Sequence, residues 1–442
     1  MKIRSLLLGS VAAAGLTTGA FAADLGVLTS VDICDSLGLS GLTISSDTNC
    51  LQITGEVTYE FNWGDYADDS EVDADNPYID DEVGFDDDDG INDWQSRVDA
   101  WLQFVATANS DFGPAKAVLK LLYVSDELNE NSTASIGGSD TGGGVNVDEA
   151  YVSIGDSTMI MAGKKGSIFE DGEDEPLNFL GLFNSEMVDV GVGNSLFDDP
   201  NDGDGRFNDG DLVNTGGHVI QIVSDLGNGI SIGAGLEDLD GFGTFVGVVQ
   251  YAGDGLAAHA SVKVGDILGD KEDGDAWAVH AGFAGTFENF KVVVAGAFDS
   301  QEYYNVLASA SATFDIFTIA GSVEAAGDTV FGDMWGAGAS LSATVTDTVT
   351  LNIGGRWFEE TDGDNVWEVA ASVTAAVTET ISLTGTVGYA AEDGPVAADL
   401  FYGSAEVSWT PGAESGFTSS LKGQANSDGG YKATFKAAKT FE

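Results

Sequence analysis

The sequence predicts an all-β fold, a closed antiparallel transmembrane barrel, and three observations carry that prediction. From Leu51 to Phe441 the chain repeats runs of about ten residues that alternate large apolar with small or polar side chains. Aromatic residues gather at the ends of these runs. The connections between runs alternate in character, one tight and the next long and acidic.

The chain opens with a basic pair, Lys2 and Arg4, an apolar stretch from Leu6 to Leu16, and the small-x-small triplet Ala20-Phe21-Ala22. That is the anatomy of a secretory signal peptide, so residues 1–22 are expected to be removed and the mature chain to begin near Ala23. The apolar run is too short for a membrane anchor, and no later run reaches the roughly 18 apolar residues of a spanning helix.

Charge narrows the partners. Sixteen Lys and Arg face 73 Asp and Glu, a net charge of −57, and loss of Lys2 and Arg4 with the leader takes it to −59. Nucleic acid and anionic headgroups are poor partners for such a chain. Acidity of this order often means disorder, but 43% hydrophobic residues and 60 glycines point to an ordered, strand-rich body with segregated carboxylates.

Cys34 and Cys50 are an even, local pair near the mature N-terminus, which in an exported chain reads as a disulfide, two free buried thiols being the alternative. Closing so short a loop stabilises by roughly 3 kcal/mol in the chain-entropy model. The bridge would fasten a periplasmic segment, residues 23–50, ahead of a barrel over residues 51–442.

Within the barrel, Val349, Leu351, Ile353 and Trp357 share one face while Thr350, Asn352 and Arg356 share the other. Ile381, Leu383, Val387 and Tyr389 oppose Ser382, Thr384, Thr386 and Gly388 in the same way, and Trp277, Val279, Ala281, Phe283 and Phe287 oppose Ala278, His280, Gly282 and Thr286. Strands of soluble sandwiches average about five or six residues, whereas a tilted membrane strand needs about nine to eleven. Trp277, Phe287, Phe290, Phe298, Tyr303, Phe314, Trp335, Trp357, Trp367, Trp409, Phe417, Tyr431 and Phe441 lie at run ends, as interfacial girdles require. Tight turns at 253–255, 288–289, 346–348 and 378–379 alternate with longer or acidic loops at 67–93, 126–144, 170–215, 265–275 and 359–365. The count is 20 strands, with 16 or 18 as alternatives.

Two segments carry a family resemblance. Val31-Asp32-Ile33-Cys34-Asp35 with Asp47-Thr48-Asn49-Cys50-Leu51-Gln52-Ile53-Thr54-Gly55-Glu56-Val57 resembles the mature N-terminus of the alphaproteobacterial general (trimeric) outer-membrane porin family. Asp148-Glu149-Ala150-Tyr151-Val152-Ser153-Ile154-Gly155 and Met161-Ala162-Gly163-Lys164 look like the hairpin that leads into that family's constriction loop. The resemblance implies a homotrimer in the Gram-negative outer membrane, with a third external loop folded into each lumen. It also implies 16 strands, fewer than the runs counted here, and the terminal Glu442 after Phe441 departs from the family's aromatic ending.

Residues 170–215 stand where the constriction loop should be. They hold 13 carboxylates against one base, Arg206, and an apolar centre of Leu177, Phe179, Leu180, Leu182 and Phe183 that could fold back onto a wall. Glu170, Asp171, Glu173, Asp174 and Glu175 are the candidate constriction acids; a solvated surface loop is the alternative. Candidate pore-wall bases are Arg97, Lys116, Lys120, Lys164, Lys165 and Arg356, since a charge on the lipid face at mid-depth costs about 2–4 kcal/mol. Around Gly205, the residues Asp199, Asp202, Asp204, Arg206 (through its carbonyl), Asn208 and Asp211 approximate a calcium loop, although Pro200 occupies the first ligand position. Asp86–Asp89 is a weaker acidic cap.

Nothing calls for a cofactor, calcium being the one candidate ligand. His218, His259 and His280 stand apart in sequence without Cys or carboxylate at ligand spacing, and neither a nucleophile elbow nor a phosphate loop occurs. The expected function is therefore passive diffusion of small hydrophilic solutes and ions through a water-filled, cation-preferring channel, not catalysis. The competing reading is an acidic, calcium-binding surface or adhesion barrel with a plugged lumen.

Overall fold

The computed structural model describes residues 33–65, 93–124, 128–129, 144–182, 215–269, 276–300, 302–328, 332–359, 365–393, 398–412, 415–427 and 429–441. A one-turn helix, α1 (Ile33–Ser36), and a short strand, β1 (Thr43–Ser45), come first. They are followed by β2 (Cys50–Asp65), β3 (Asp93–Ser110), β4 (Gly113–Val124), the two-residue β5 (Leu128–Asn129), β6 (Gly144–Gly155) and β7 (Thr158–Lys164). Next come β8 (His218–Gly227), β9 (Ile230–Glu237), β10 (Thr244–Gly253), β11 (Leu256–Val264), β12 (Trp277–Phe287), β13 (Phe290–Asp299) and β14 (Tyr304–Phe314). The wall is completed by β15 (Phe317–Asp328), β16 (Gly332–Thr346), β17 (Val349–Glu359), β18 (Asn365–Ala376), β19 (Ile381–Asp393), β20 (Ala398–Trp409), β21 (Phe417–Asn426) and β22 (Tyr431–Phe441).

Every wall strand pairs antiparallel with the next, and β2 closes the ring on β22, Gly55 opposite Phe441 and Asp65 opposite Tyr431. Setting aside β1 and β5, the barrel has 20 strands. The count read from alternation holds, and the 16 implied by the resemblance does not. Closure leaves no edge strand, which a lipid environment demands because an unpaired N–H or C=O there has no water to satisfy it.

Alternation sorts the two faces as expected. On β17 Ile353 is 57% exposed on the outside, while Arg356, three residues on, is 3% exposed on the inside. Aromatics ring both rims: Trp335 meets Trp357 at 4.6 Å and Tyr389 meets Phe401 at 4.4 Å on the long-loop side, and Phe290 meets Phe314 at 6.5 Å on the other. Tyr303 departs from the expected girdle, being buried in the turn between β13 and β14. On the short-turn rim, Asn228 and Gly229 both take positive φ (55° and 78°), the pair of values a two-residue hairpin needs to match strand twist.

The disulfide has a structural task. Among the described residues β22 extends only as far as Phe441, opposite Gly55, so the first residues of β2 outrun it. There β1 takes over the pairing, with Thr43 opposite Gln52 and Ser45 opposite Cys50. Cys34 of α1 is bonded to Cys50, their Cα atoms 4.9 Å apart, which pins β1 against the projecting end of β2.

Candidate functional site

The inner wall and the segment that follows β7 form the candidate site. After Lys164 the chain turns inward and runs as irregular backbone along the inside of the barrel to Leu182. Its neck is held by Glu237 of β9, which is fully buried. That carboxylate accepts hydrogen bonds from the backbone N–H of Ile168 (3.0 Å) as the segment leaves and from that of Gly216 (2.8 Å) as the chain returns. Beside it the Gln221 amide donates both to Glu237 (2.8 Å) and to the Gly166 carbonyl (3.0 Å). Asp240 caps the returning chain by accepting from the His218 N–H, a bond that holds its carboxyl below the usual range.

Further along, serines of three wall strands receive the segment's backbone donors. Glu170 N–H donates to Ser261 on β11, Leu177 N–H to Ser309 on β14, and Phe179 N–H to Ser340 on β16. Irregular backbone has no ladder to satisfy it, and inward-facing hydroxyls supply the acceptors instead. Between these bonds lies an apolar contact: Leu182 and Leu177 pack on Val293, Ala295, Ala297 and Leu307 of β13 and β14. Burying one such leucine fully is worth about 1.5–3 kcal/mol. The apolar centre read from the sequence thus has its counterpart on the wall; Phe183 lies outside the described residues.

The far end is tied by Arg356 on β17, which donates from NH1 to the Leu180 carbonyl (3.0 Å) and from Nε to Glu368 on β18 (2.8 Å). Tyr402 on β20 donates its hydroxyl to the same carboxylate. Arg356 is therefore on the inner face as expected, but buried, neutralised by Glu368 and used as a fastener for the loop.

The other expected bases fall in different places. Lys120 is buried and paired with Asp148 at 2.5 Å, with its ammonium 5.7 Å from the Trp101 ring centroid. Arg97 pairs with Asp99 at 3.0 Å. Lys116 shares the inner side of β4 with Val118 and Lys120. Lys165 lies over the Tyr151 ring at 5.4 Å. Lys164 contradicts its assignment. It shares a side with Ile160, which is exposed on the outer face, and its ammonium bends to the rim to donate to the Val147 carbonyl. A lysine at a strand end can do this because its stem lies on apolar surface while its head reaches polar groups. The alternation also places Lys422, Lys432 and Lys436 on the inside of β21 and β22, where Lys436 meets Glu60 at 3.0 Å. Their alternation with outward Leu421 on β21 and outward Phe435 on β22 was the available signal, missed in the sequence.

Of the expected acids, Glu170 accepts from the Gln250 amide on β10, and burial, helped by the charges of Glu173 and Asp171, pushes its carboxyl above the usual range. Glu173 lies 2.5 Å from Nδ1 of His259 on β11, and the Nε2 of that ring is 2.7 Å from Nδ1 of His280 on β12. The two histidines that stood apart in sequence are thus joined in the fold. Asp171 and Glu175 are exposed beside them. Glu170 and Glu173 contact β10 and β11, whereas Arg97, Lys116, Lys120, Lys422, Lys432 and Lys436 stand on β3, β4, β21 and β22. The calcium candidates Asp199, Asp202, Asp204, Arg206, Asn208 and Asp211, the Asp86–Asp89 cap and the leader all lie outside the described residues.

A closed 20-stranded antiparallel barrel with an apolar exterior, aromatic rims, a hydrogen-bonding interior and an inward loop has the architecture of a membrane-spanning β-barrel. The porin subfamily model matches residues 26–181. A putative outer membrane protein of Sinorhizobium fredii is 26% identical over 184 residues, 40% of this chain and 46% of that protein. The chain thus spans about half the length of this curated relative. These two matches bear out the resemblance to alphaproteobacterial porins. Among solved structures, Pseudomonas aeruginosa OpdK with vanillate aligns at a TM-score of 0.46 and 10% identity, over 88% of this chain and 98% of that one. A mutant of the Rh. blastica porin aligns at 0.37 and 12%, over 88% and 100%.

Proposed function

We propose that this chain is a channel, not an enzyme: a homotrimeric outer-membrane porin whose water-filled lumens pass small hydrophilic solutes and prefer cations. The carrying observation is the inward segment, residues 165–182, fixed to the wall from β8 to β17 by hydrogen bonds and an apolar seat. Such a segment narrows a lumen on one side and presents carboxylates to it.

Pairing supports a preference for cations. Arg97, Lys120, Lys436 and Arg356 each have a carboxylate within 3.0 Å, so they add little net field. Asp171 and Glu175 are exposed on the loop, and the segments at 67–93 and 170–215 hold 13 carboxylates each. Low-dielectric walls focus that field into the pore. The plugged, calcium-binding adhesion barrel has no comparable support.

Reversal potentials of the purified protein in a planar bilayer under a salt gradient test the reading. Cation preference should be clear in dilute electrolyte and fade in concentrated electrolyte, because the Debye length is about 8 Å at physiological salt and shorter above it. Anion preference at low salt, or no conductance, would overturn it.

A further inference from the structure

We infer that His259 and His280 are specificity-determining residues of the pore: with Glu173 they form one proton-accepting unit that sets the charge of the narrowed lumen, so ion preference changes as that unit takes up a proton. The inference rests on the channel reading above.

The geometry is that of a relay. Glu173, His259 and His280 lie in line, with separations of 2.5 and 2.7 Å between successive polar atoms. The ring planes are parallel within 2° and their centroids are 4.9 Å apart. The hydrogen bond and the two ring radii account for that separation, so the rings meet edge to edge and share a proton along the bond. Both imidazoles are buried. The fold makes room for the arrangement at Gly282, the residue paired with His259 across β11 and β12. A Cβ there would lie 2.6 Å from both the Gly172 carbonyl and His259 Cε1. Glu173 itself is held at φ 54°, a conformation uncommon outside glycine.

The surrounding charges favour one added proton. From the loop, Glu173 contacts His259, the His259 and Glu170 charges interact, and Asp171 and Glu173 act on Glu170 in turn. On β11 the neighbouring inward charge is Lys263, which interacts with Asp171, Asp299 of β13 and Glu237 of β9. Opposite His259 on β10 stands uncharged Gln250, and opposite His280 on β13 stands Ala297.

One proton leaves the relay intact, because a cationic imidazole can donate to its neutral neighbour and to Glu173. Two protons set N–H against N–H at the shared bond. The unit therefore takes up one proton and resists a second. The carboxylates around the pair outnumber Lys263, so one proton on the pair lowers the local negative charge by one. Glu170 responds separately: its raised carboxyl takes up a proton in its seated position more readily than in water, so acid does not unseat that end of the loop.

The experiment measures reversal potential against pH for the full-length protein in planar bilayers at low potassium chloride. A second preparation carries His259→Asn and His280→Asn, in which amides keep a donor but do not titrate. In the unmodified protein, cation preference should fall severalfold on acidification in two steps, an upper one as the histidine pair gains its proton and a lower one as the carboxylates do. The double variant should keep only the lower step. An upper step of equal size in the variant, or none in the unmodified protein, overturns the inference. Should the variant fail to fold, nitrogen chemical shifts of the imidazoles in the unmodified protein decide. Proton uptake by the pair must track the potential, and uptake at a different pH refutes the assignment. Absence of conductance in every preparation overturns the channel reading instead, and this inference with it.

Discussion

Arg356 and Glu368 form a buried ion pair across β17 and β18, Nε to carboxylate at 2.8 Å, in which the arginine also holds the Leu180 carbonyl at 3.0 Å. The pair has side-chain exposures of 0% and 1%, so neither charge faces open water. A pair in this setting is worth little compared with apolar replacements, yet breaking it strands the remaining charge. It joins the end of the inward segment to three strands of the wall, because Tyr402 on β20 binds the same carboxylate.

Replacing Arg356 with Met is expected to destabilise the folded barrel by about 3–5 kcal/mol, the usual cost of leaving one buried partner alone. Adding Glu368→Leu should recover much of that loss. Neither variant holds Leu180, so both should show larger and noisier single-channel conductance. Denaturant midpoints in detergent and bilayer recordings check the two halves. Equal stability of single and double variants would refute the stranded-charge account.

Adjacent residues on β19 test the two faces. Val387 is 65% exposed on the outer side, and Thr386 faces the lumen opposite Ser372 and Ser404. Val387→Arg should cost about 2–4 kcal/mol in a bilayer, as lipid-face charges at mid-depth do. Thr386→Arg should fold with near-normal stability and shift ion preference toward anions. Refolding titrations in lipid vesicles, with reversal potentials for the second variant, provide the measurement.

Removing the disulfide by Cys34→Ser and Cys50→Ser should leave the barrel assembled but loosen its lip. The expected loss is at most roughly 3 kcal/mol, as for a short closed loop. Amide exchange should quicken at Leu51 and Ile53, whose N–H groups point to the β1 side, and remain slow at Val57, which pairs with β22. Uniform quickening across β2 would mean that the bridge supports the wall itself.

Much of this fold was legible along the chain because its information is local. Period-two alternation, strand length and tight turns are properties of neighbouring residues, so the 20 strands, their faces and the alternating rims follow without knowledge of pairing. The parity of Lys120 and Arg97 was readable for the same reason. Lys164 was misassigned because it ends its strand, where alternation has few residues left on which to register.

By itself, then, the sequence determined the barrel, its strand number, its outer and inner faces, the cysteine pair and the surplus of carboxylates near the loops. Only the tertiary structure decided which inner residues meet. His259 and His280 lie on strands joined by a long loop, so their diagonal proximity depends on a register that no turn motif specifies. Glu173 joins them because Gly282 lets the backbone of the inward segment approach the wall, and Arg356 loses its role as a free base because Glu368 stands on the next strand. Alternation dictates which way a side chain points; its partner depends on strand register and on the path of an irregular segment, which long-range packing and hydrogen bonding decide.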